Sequence, residues 1–360
     1  MYDTLGEQSK GGGAMDREHD LEALPRRLLS WFRDNARKLP WRETREPYPV
    51  WVSEIMLQQT RVEAVLGYYR RFLAAFPTVE DLARAPEEQL LKLWEGLGYY
   101  SRARNLQKAA RRVTEELDGR FPDSFEGLLA LPGVGEYTAG AVASICFDRP
   151  CAAVDGNVLR VLSRFLADDS PRETMKKWAK PALEAVYPPG QCGMFTQALM
   201  ELGATVCVPN GATRCGECPL SDLCRAHALG KEGDFPQKPV KKNRPREDLT
   251  VFILDCGGKL ALRKRPDKGL LAGLWELPWV PGTLSPEEAA AQAARWGLSP
   301  RDVLAQRDKT HVFTHRVWAM RGFDLTCDVP DPAFVWTTRE ELRKGYSLPT
   351  AFRQFLDEDA

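Results

Sequence analysis

Cys207, Cys215, Cys218 and Cys224 lie within 18 residues, while the other five cysteines are scattered along a chain of 360. The N-terminus carries no charged-then-apolar signal pattern, so the chain is expected to stay where it is made. In that setting a tight cysteine group points to metal rather than to disulfides. Thiolate donors favour zinc or an iron–sulfur cluster. Structural zinc sites commonly pair two Cys-x-x-Cys hooks. Here there is one hook, flanked by gaps of seven and five residues, which suits a cluster wrapped by a single loop. Spacing alone leaves zinc open.

A second stretch, LPGVGEYTAG at 131–140, places Gly133 and Gly135 two apart and sets Tyr137 just inside a helix-like run. Exposed backbone N–H groups on such a turn, at the positive end of a helix, can bind phosphate. An ordinary turn between two helices fits the same letters. Two carboxylates stand out by context: Glu54 in the apolar run WVSEIML, and Asp155 in VDGN at a loop-to-helix junction. By themselves they read as a partnered core acid and a helix cap.

These groups sit on a chain long enough for two domains. With 43% hydrophobic and 28% charged residues it has an ordinary globular composition, and it has no apolar run of the roughly 20 residues needed to span a bilayer. Formal charge is zero overall; residues 21–247 carry 33 Lys and Arg against 29 Asp and Glu, and residues 248–360 carry 15 against 16. That balance permits a nucleic-acid partner without requiring one. Residues 1–20, with KGGGA, predict a disordered lead-in.

Residues 21–235 predict a helical domain. In TRVEAVLGYYRRFLAAF, Val62, Val65, Leu66, Tyr69, Leu73 and Phe76 recur at helical spacing, with Thr60 and Glu63 as a capping box; Thr78 and Asp81 open the next helix in the same way. PQKPVKKNRPR, within a basic linker at 236–247, holds three prolines and five basic residues and predicts an extended tether. Beyond it, LTVFILD, KLALRKR, HRVWAMRGFDL and FVWTT read as short strands, and EEAAAQAARWG as a helix. Residues 248–360 therefore predict an α+β second domain.

Taken in combination, LPWR at 39–42, WVSEIMLQQTRV at 51–62, WEGLGYYSRARNL at 94–106, LPGVGEYTAGAV at 131–142, AVDGNVLRVLSR at 153–164 and QALMELGATVC at 197–207 resemble the MutY family of adenine DNA glycosylases. That family belongs to the helix–hairpin–helix superfamily with endonuclease III. The resemblance runs from about Leu24 to the C-terminus. It implies an all-α helix–hairpin–helix domain with an iron–sulfur loop at 207–224, followed by an α+β Nudix-like domain. It implies a 4Fe–4S cluster on the four cysteines, with zinc as the alternative. The first cysteine gap is seven residues (VPNGATR) where the family has six, and the loop around Gly211 is expected to absorb the extra one.

The resemblance also implies roles. Glu54 matches the general acid that protonates adenine N7, and apolar surroundings would keep it protonated. Asp155 matches the carboxylate that stabilises the sugar cation, expected to stay ionised, with Asn157 orienting the pair; this is the two-carboxylate logic of glycoside hydrolysis. Tyr137 stands where bifunctional relatives carry a lysine, and a phenol cannot form a Schiff base. The implied enzyme is monofunctional. Trp41, Arg42 and Gln197 would line the pocket for an extruded base. Gln59, Thr60, Leu97 and Tyr99 would meet the duplex near the opposite base. Gly133 and Gly135 would bind DNA phosphate.

GLLAGLWELP at 269–278 resembles the Nudix-like domain that inspects 8-oxoguanine, and the helix EEAAAQAARWG has alanines where a Nudix hydrolase needs later carboxylates. The implied domain keeps the fold and lacks the hydrolase. VFTH at 312–315 has Thr314 where the family has serine, preserving a hydroxyl for the lesion. The implied partner is double-stranded DNA with adenine opposite 8-oxoguanine or guanine. A monomer in a bacterial cytoplasm is expected, without membrane association. Two other readings remain: an endonuclease III-like lyase on oxidised pyrimidines, disfavoured by Tyr137, and a lesion-binding module without catalysis, disfavoured by Glu54 and Asp155 together.

Overall fold

The computed structural model describes residues 20–209, 213–237 and 243–356. The expectations for the N-terminal lead-in, for the loop around Gly211 and for the middle of the basic linker lie outside the described residues. The chain divides into two compact units: residues up to Ala83 with Asn105–Val240, and Arg84–Arg104 with Lys241–Ala360.

The first unit is helical. Its elements are α1 (Leu24–Asn35), a 3-10 turn (Pro40–Arg42), α2 (Pro47–Leu57), α3 (Val62–Ala75), α4 (Val79–Arg84), α6 (Ser101–Glu116), α7 (Phe125–Leu129), α8 (Glu136–Phe147), α9 (Gly156–Leu166), α10 (Arg172–Ala185), α11 (Cys192–Thr205) and α12 (Arg225–Ala228); α5 (Glu87–Leu93) falls in the second unit. One core joins Leu24, Leu28 and Phe32 of α1 to Leu159 and Leu162 of α9, Ala179 and Leu183 of α10, and Phe195 and Leu199 of α11. Two glycines allow close backbone approach. A Cβ at Gly140 would lie 2.6 Å from the Ala152 carbonyl oxygen, and one at Gly193 would lie 2.7 Å from Ile145 Cα. None of the described helices is long and apolar enough to cross a membrane.

The two predicted capping boxes part company. Thr78 and Asp81 exchange reciprocal hydrogen bonds at 3.1 and 3.2 Å ahead of α4. Thr60 and Glu63 do not form a box: α3 begins at Val62 with Arg61 as an N-cap that has no side-chain bond. Gln59 takes φ +57°, so the chain turns before the helix starts and Glu63 falls one position short of the place a box requires.

In the second unit, β1 (Arg246–Cys256), β2 (Lys259–Lys264), β3 (Trp275–Glu276), β4 (Trp279–Pro281), β5 (Pro300–Val312), β6 (Val317–Cys327) and β7 (Val335–Thr337) build one sheet. The order is β3-β2-β1-β6-β5, with β4 on β1 and β7 on β2; β1 and β6 run parallel. Period-2 alternation sends Val251, Ile253, Leu260, Leu262 and Trp318 to a core shared with Phe352 and Phe355. Phe252, Leu254, Ala261, Phe323 and Leu325 face the other core, under α13 (Pro286–Arg295). α14 (Arg339–Gly345) and α15 (Thr350–Arg353) complete the unit. On α13, Ser285 and Glu288 form the capping box and Glu287 accepts from the Ser285 hydroxyl, so both glutamates serve the helix start.

Residues 84–104 belong to this unit through side chain to backbone bonds. Lys92 Nζ donates to the carbonyls of Leu342 and Tyr346 at 3.2 and 3.0 Å. Glu95 accepts from the Leu348 N–H at 2.8 Å, and Arg104 donates to the Ala272 carbonyl at 2.8 Å.

Candidate active site

Within the first unit α2 presents Glu54 from an almost wholly buried helix; the residue is 5% exposed. Its Oε2 accepts a hydrogen bond from the Tyr137 hydroxyl at 2.8 Å. Tyr137 lies in the first turn of α8, which Gly135 caps after Gly133 turns the chain at φ +74°. A Cβ at Gly133 would meet Asn105 Cβ at 2.5 Å, so this turn requires glycine twice over. Burial pushes the Glu54 carboxyl up to about 7; Asp155 adds to the rise, while the Tyr137 hydrogen bond and the Arg42 charge oppose it. Burial, with Glu54 and Asp155 beside it, likewise holds the Tyr137 phenol well above its usual range.

Asp155 is the N-cap of α9. One carboxylate oxygen accepts from Val158 N–H at 2.7 Å and the other from Asn157 Nδ2 at 2.7 Å. Burial nevertheless outweighs these bonds and moves its pKa upward, against the expectation that this position simply favours the ion. Trp41, Arg42, Glu54, Thr60, Tyr137, Asp155, Asn157 and Gln197 surround one cavity of about 160 Å³. Gly133 and Gly135 are exposed on their turn, and Gln59 is exposed on the turn after α2. Leu97, Tyr99 and Thr314 lie in the second unit, around a separate cavity of about 680 Å³. There Tyr99 is 47% exposed and its hydroxyl meets Thr314 Oγ1 at 2.5 Å.

Sequence reasoning passed over four residues. Arg37 and Glu201 line the same cavity as Glu54 and Asp155. Arg160 and Arg164, both buried, tie α9 to the cysteines. Arg160 donates to the Cys207 carbonyl at 2.8 Å, to the Gly203 carbonyl at 2.7 Å and to Asn157 Oδ1 at 2.9 Å. Arg164 donates to Cys207 Sγ at 3.2 Å and to the Val208 carbonyl at 2.9 Å. For Glu201, Arg160 and Arg164 the one available signal was an isolated charge in an apolar helix, the same signal that marked Glu54; Arg37, in the loop after α1, carries no such signal.

Asn157 has no room to spare, since a Cβ on Gly203 of α11 would stand 2.7 Å from Asn157 Cβ. Gly203→Ala is therefore expected to displace the Asp155–Asn157 pair and to slow any reaction that depends on their placement by on the order of tenfold or more. Single-turnover rates of the purified variant check this; wild-type rates would show that α11 yields instead.

Cys207, Cys215, Cys218 and Cys224 converge on one small cavity of about 30 Å³, with His227 and Glu232 at its edge. His227 Nδ1 lies 2.6 Å from Glu232 Oε1. Burial pushes the Cys218 thiol up to about 12, so the thiolates that ligate metal need a cation beside them. Four soft donors lining one cavity, with Arg164 donating to one sulfur, fit a metal cluster.

Residues 52–183 match the HhH-GPD superfamily of base excision DNA repair proteins, and residues 250–358 match the NUDIX domain. The adenine DNA glycosylase of Rattus norvegicus is 37% identical over 93% of this chain and 77% of its own length. That of Homo sapiens is 37% identical over 91% and 72%. Among solved structures, a thermostable thymine-DNA glycosylase is 29% identical with TM-score 0.54, covering 60% of this chain and 98% of its own. Endonuclease III in a trapped covalent complex with DNA is 25% identical with TM-score 0.51, covering 59% and 98%.

Proposed function

The chain belongs to the adenine DNA glycosylases of the HhH-GPD superfamily, and from that premise we propose that it removes adenine paired with 8-oxoguanine or guanine by the concerted use of Glu54 and Asp155. The observation that carries the reading is the placement of both carboxyls, with Tyr137 and Asn157, around one cavity.

Glu54, raised towards neutrality by burial, supplies the proton that makes adenine a leaving group. Tyr137 occupies Oε2, which leaves Oε1 to carry that proton. As the C–N bond breaks, positive charge grows on the sugar, and the Asp155 carboxylate held by Asn157 and the α9 N-terminus stabilises it. Water then adds its oxygen to the sugar carbon and yields its proton to the Glu54 carboxylate, which restores the acid. No amine takes part, since Tyr137 stands where a lyase would need one. Trp41, Arg42 and Gln197 receive the extruded base, and the exposed Gly133–Gly135 turn offers N–H groups to phosphate. Gln59 and Thr60 in the first unit, and separately Leu97 and Tyr99 in the second, are read as DNA contacts. Cys207, Cys215, Cys218 and Cys224 would hold a 4Fe–4S cluster, whose iron would supply positive charge against four half-buried thiolates, and Arg160 and Arg164 tie this set to α9. A brown, visible-absorbing protein as purified supports iron, and a colourless zinc-loaded one would replace it.

Lesion reading falls to Tyr99 and Thr314. The Gly96–Tyr99 turn has φ of +100°, +69° and +48° at Gly96, Gly98 and Tyr99. Arg102 fixes it by donating to the Leu97 and Gly98 carbonyls while stacking over Trp94 and Tyr99. Thr314→Ala should lower the preference for 8-oxoguanine over guanine by a few fold, the effect of one hydrogen bond of about 1 kcal/mol, and leave guanine-paired turnover near wild type. An unchanged ratio would take lesion reading away from this pair.

The deciding experiment is single-turnover release of free adenine from a duplex holding adenine opposite 8-oxoguanine. If no adenine appears while the duplex is bound, the chain is a lesion-binding module. If borohydride traps a covalent DNA adduct, a lyase replaces the monofunctional hydrolase.

A further inference from the structure

Glu201 is an acid that the reaction itself does not use, yet it lines the same cavity. Its side chain is fully buried on α11 and collects four hydrogen bonds. Arg37 donates its backbone N–H at 3.0 Å, its Nε at 2.8 Å and its Nη2 at 2.9 Å; Arg42 donates its Nη2 at 2.7 Å. Arg42 also closes on the Arg37 carbonyl at 3.0 Å. Two guanidiniums therefore share one carboxylate beside the base pocket. We propose that Glu201 is a positioning residue that keeps the Glu54 carboxyl able to hold its proton, by anchoring Arg42 and cancelling part of the charge of the Arg37–Arg42 pair.

The inference rests on Glu54 as the general acid. The groups that face Glu54 are Tyr137 and Cys146 from α8, Asp155 at the head of α9 and Arg42 from the 3-10 turn, with Arg37 and Glu201 behind Arg42. Tyr137 and Cys146 are neutral at physiological pH, held up by burial. Asp155 favours the protonated acid and Arg42 the ionised one. Glu201 itself stays ionised: burial would raise it, but bonds from Arg37 and Arg42 pull it down to about 2. The Arg37–Glu201–Arg42 group thus carries one net positive charge, with the exposed Glu63 carboxylate 3.9 Å from Arg37 Nη1 beside it in both wild type and variants. Without the Glu201 carboxylate it carries two, and Glu54 would surrender its proton more easily.

The sign follows. Only protonated Glu54 can deliver a proton, so the rate falls as pH rises through its pKa. Glu201→Gln should move that fall to lower pH, on the order of one pH unit for one added charge nearby. Arg37→Met should move it to higher pH, because Glu201 is then balanced by Arg42 alone. The test is single-turnover adenine release by the intact chain across the neutral range, for wild type and both variants. Opposed displacements of the alkaline limb support the inference. Slower rates with unmoved limbs, or limbs moved the same way, overturn it. Should Glu201→Gln fail to fold, Arg37→Met carries the test alone: its backbone N–H still reaches Glu201, and an unmoved limb overturns the inference. Glu54→Gln is the control. Adenine release persisting there would remove the acid reading beneath and this inference with it; loss there with unmoved limbs elsewhere would sink this inference only.

Discussion

Glu54→Gln is expected to abolish measurable adenine release while leaving duplex binding nearly intact. Glutamine keeps the shape and an acceptor for the Tyr137 hydroxyl, which now lies 2.8 Å from Oε2. What it lacks is a proton to give, and a positioned general acid contributes about 10²–10⁴ in rate. In wild type, release should decline as pH rises through about 7, the value to which burial carries this carboxyl. The same burial makes Glu54 a cost to the fold. Its folded pKa lies above its unfolded value of 4.5, so the penalty begins to grow above pH 4.5 and is fully present above about 7. A rise of this size corresponds to about 3 kcal/mol at the alkaline end. Glu54→Gln should therefore match or exceed wild type in thermal stability at alkaline pH. A variant that lost binding and stability together would show Glu54 to be a structural acid.

That asymmetry explains why some of the site could be read from letters. An acid inside WVSEIML is costly unless partnered, and Asp155 before GNVLR has the spacing of a cap. Glu201 inside ALMELGA sends the same signal, but its partners Arg37 and Arg42 lie more than 150 positions away. Nothing local names them. β5 was unread for a different reason: RDVLAQRDKTHV carries five charged residues in twelve, which hides the apolar alternation of a strand. It is an edge strand that pairs with β6 alone, so little of it needs to be apolar. Residues 84–104 look like a continuation of the helical run. Their place in the second unit depends on Lys92 and Arg104 reaching backbone carbonyls, and a carbonyl has no sequence signature. The misread Thr60–Glu63 box has a local cause, since a single positive φ at Gln59 shifts the helix start.

Asp155→Asn should lower the rate of adenine release by on the order of a thousandfold, through loss of a preorganised anion at a developing cation. The substitution separates two jobs that one residue performs. As N-cap, Asp155 accepts from Val158 N–H at 2.7 Å, and asparagine caps equally well. As an anion it has no substitute in the cavity, because Glu54 must stay protonated to act and Glu201 is committed to two arginines. Thermal stability of Asp155→Asn should thus remain close to wild type, whereas Asp155→Ala should also lose about 1 kcal/mol with the cap. If the asparagine variant turned over normally and only the alanine variant failed, Asp155 would be a helix cap and nothing more. A pair of carboxyls could not then be dividing the work of breaking the C–N bond, and Glu54 would have to act against a cation stabilised by the solvent alone.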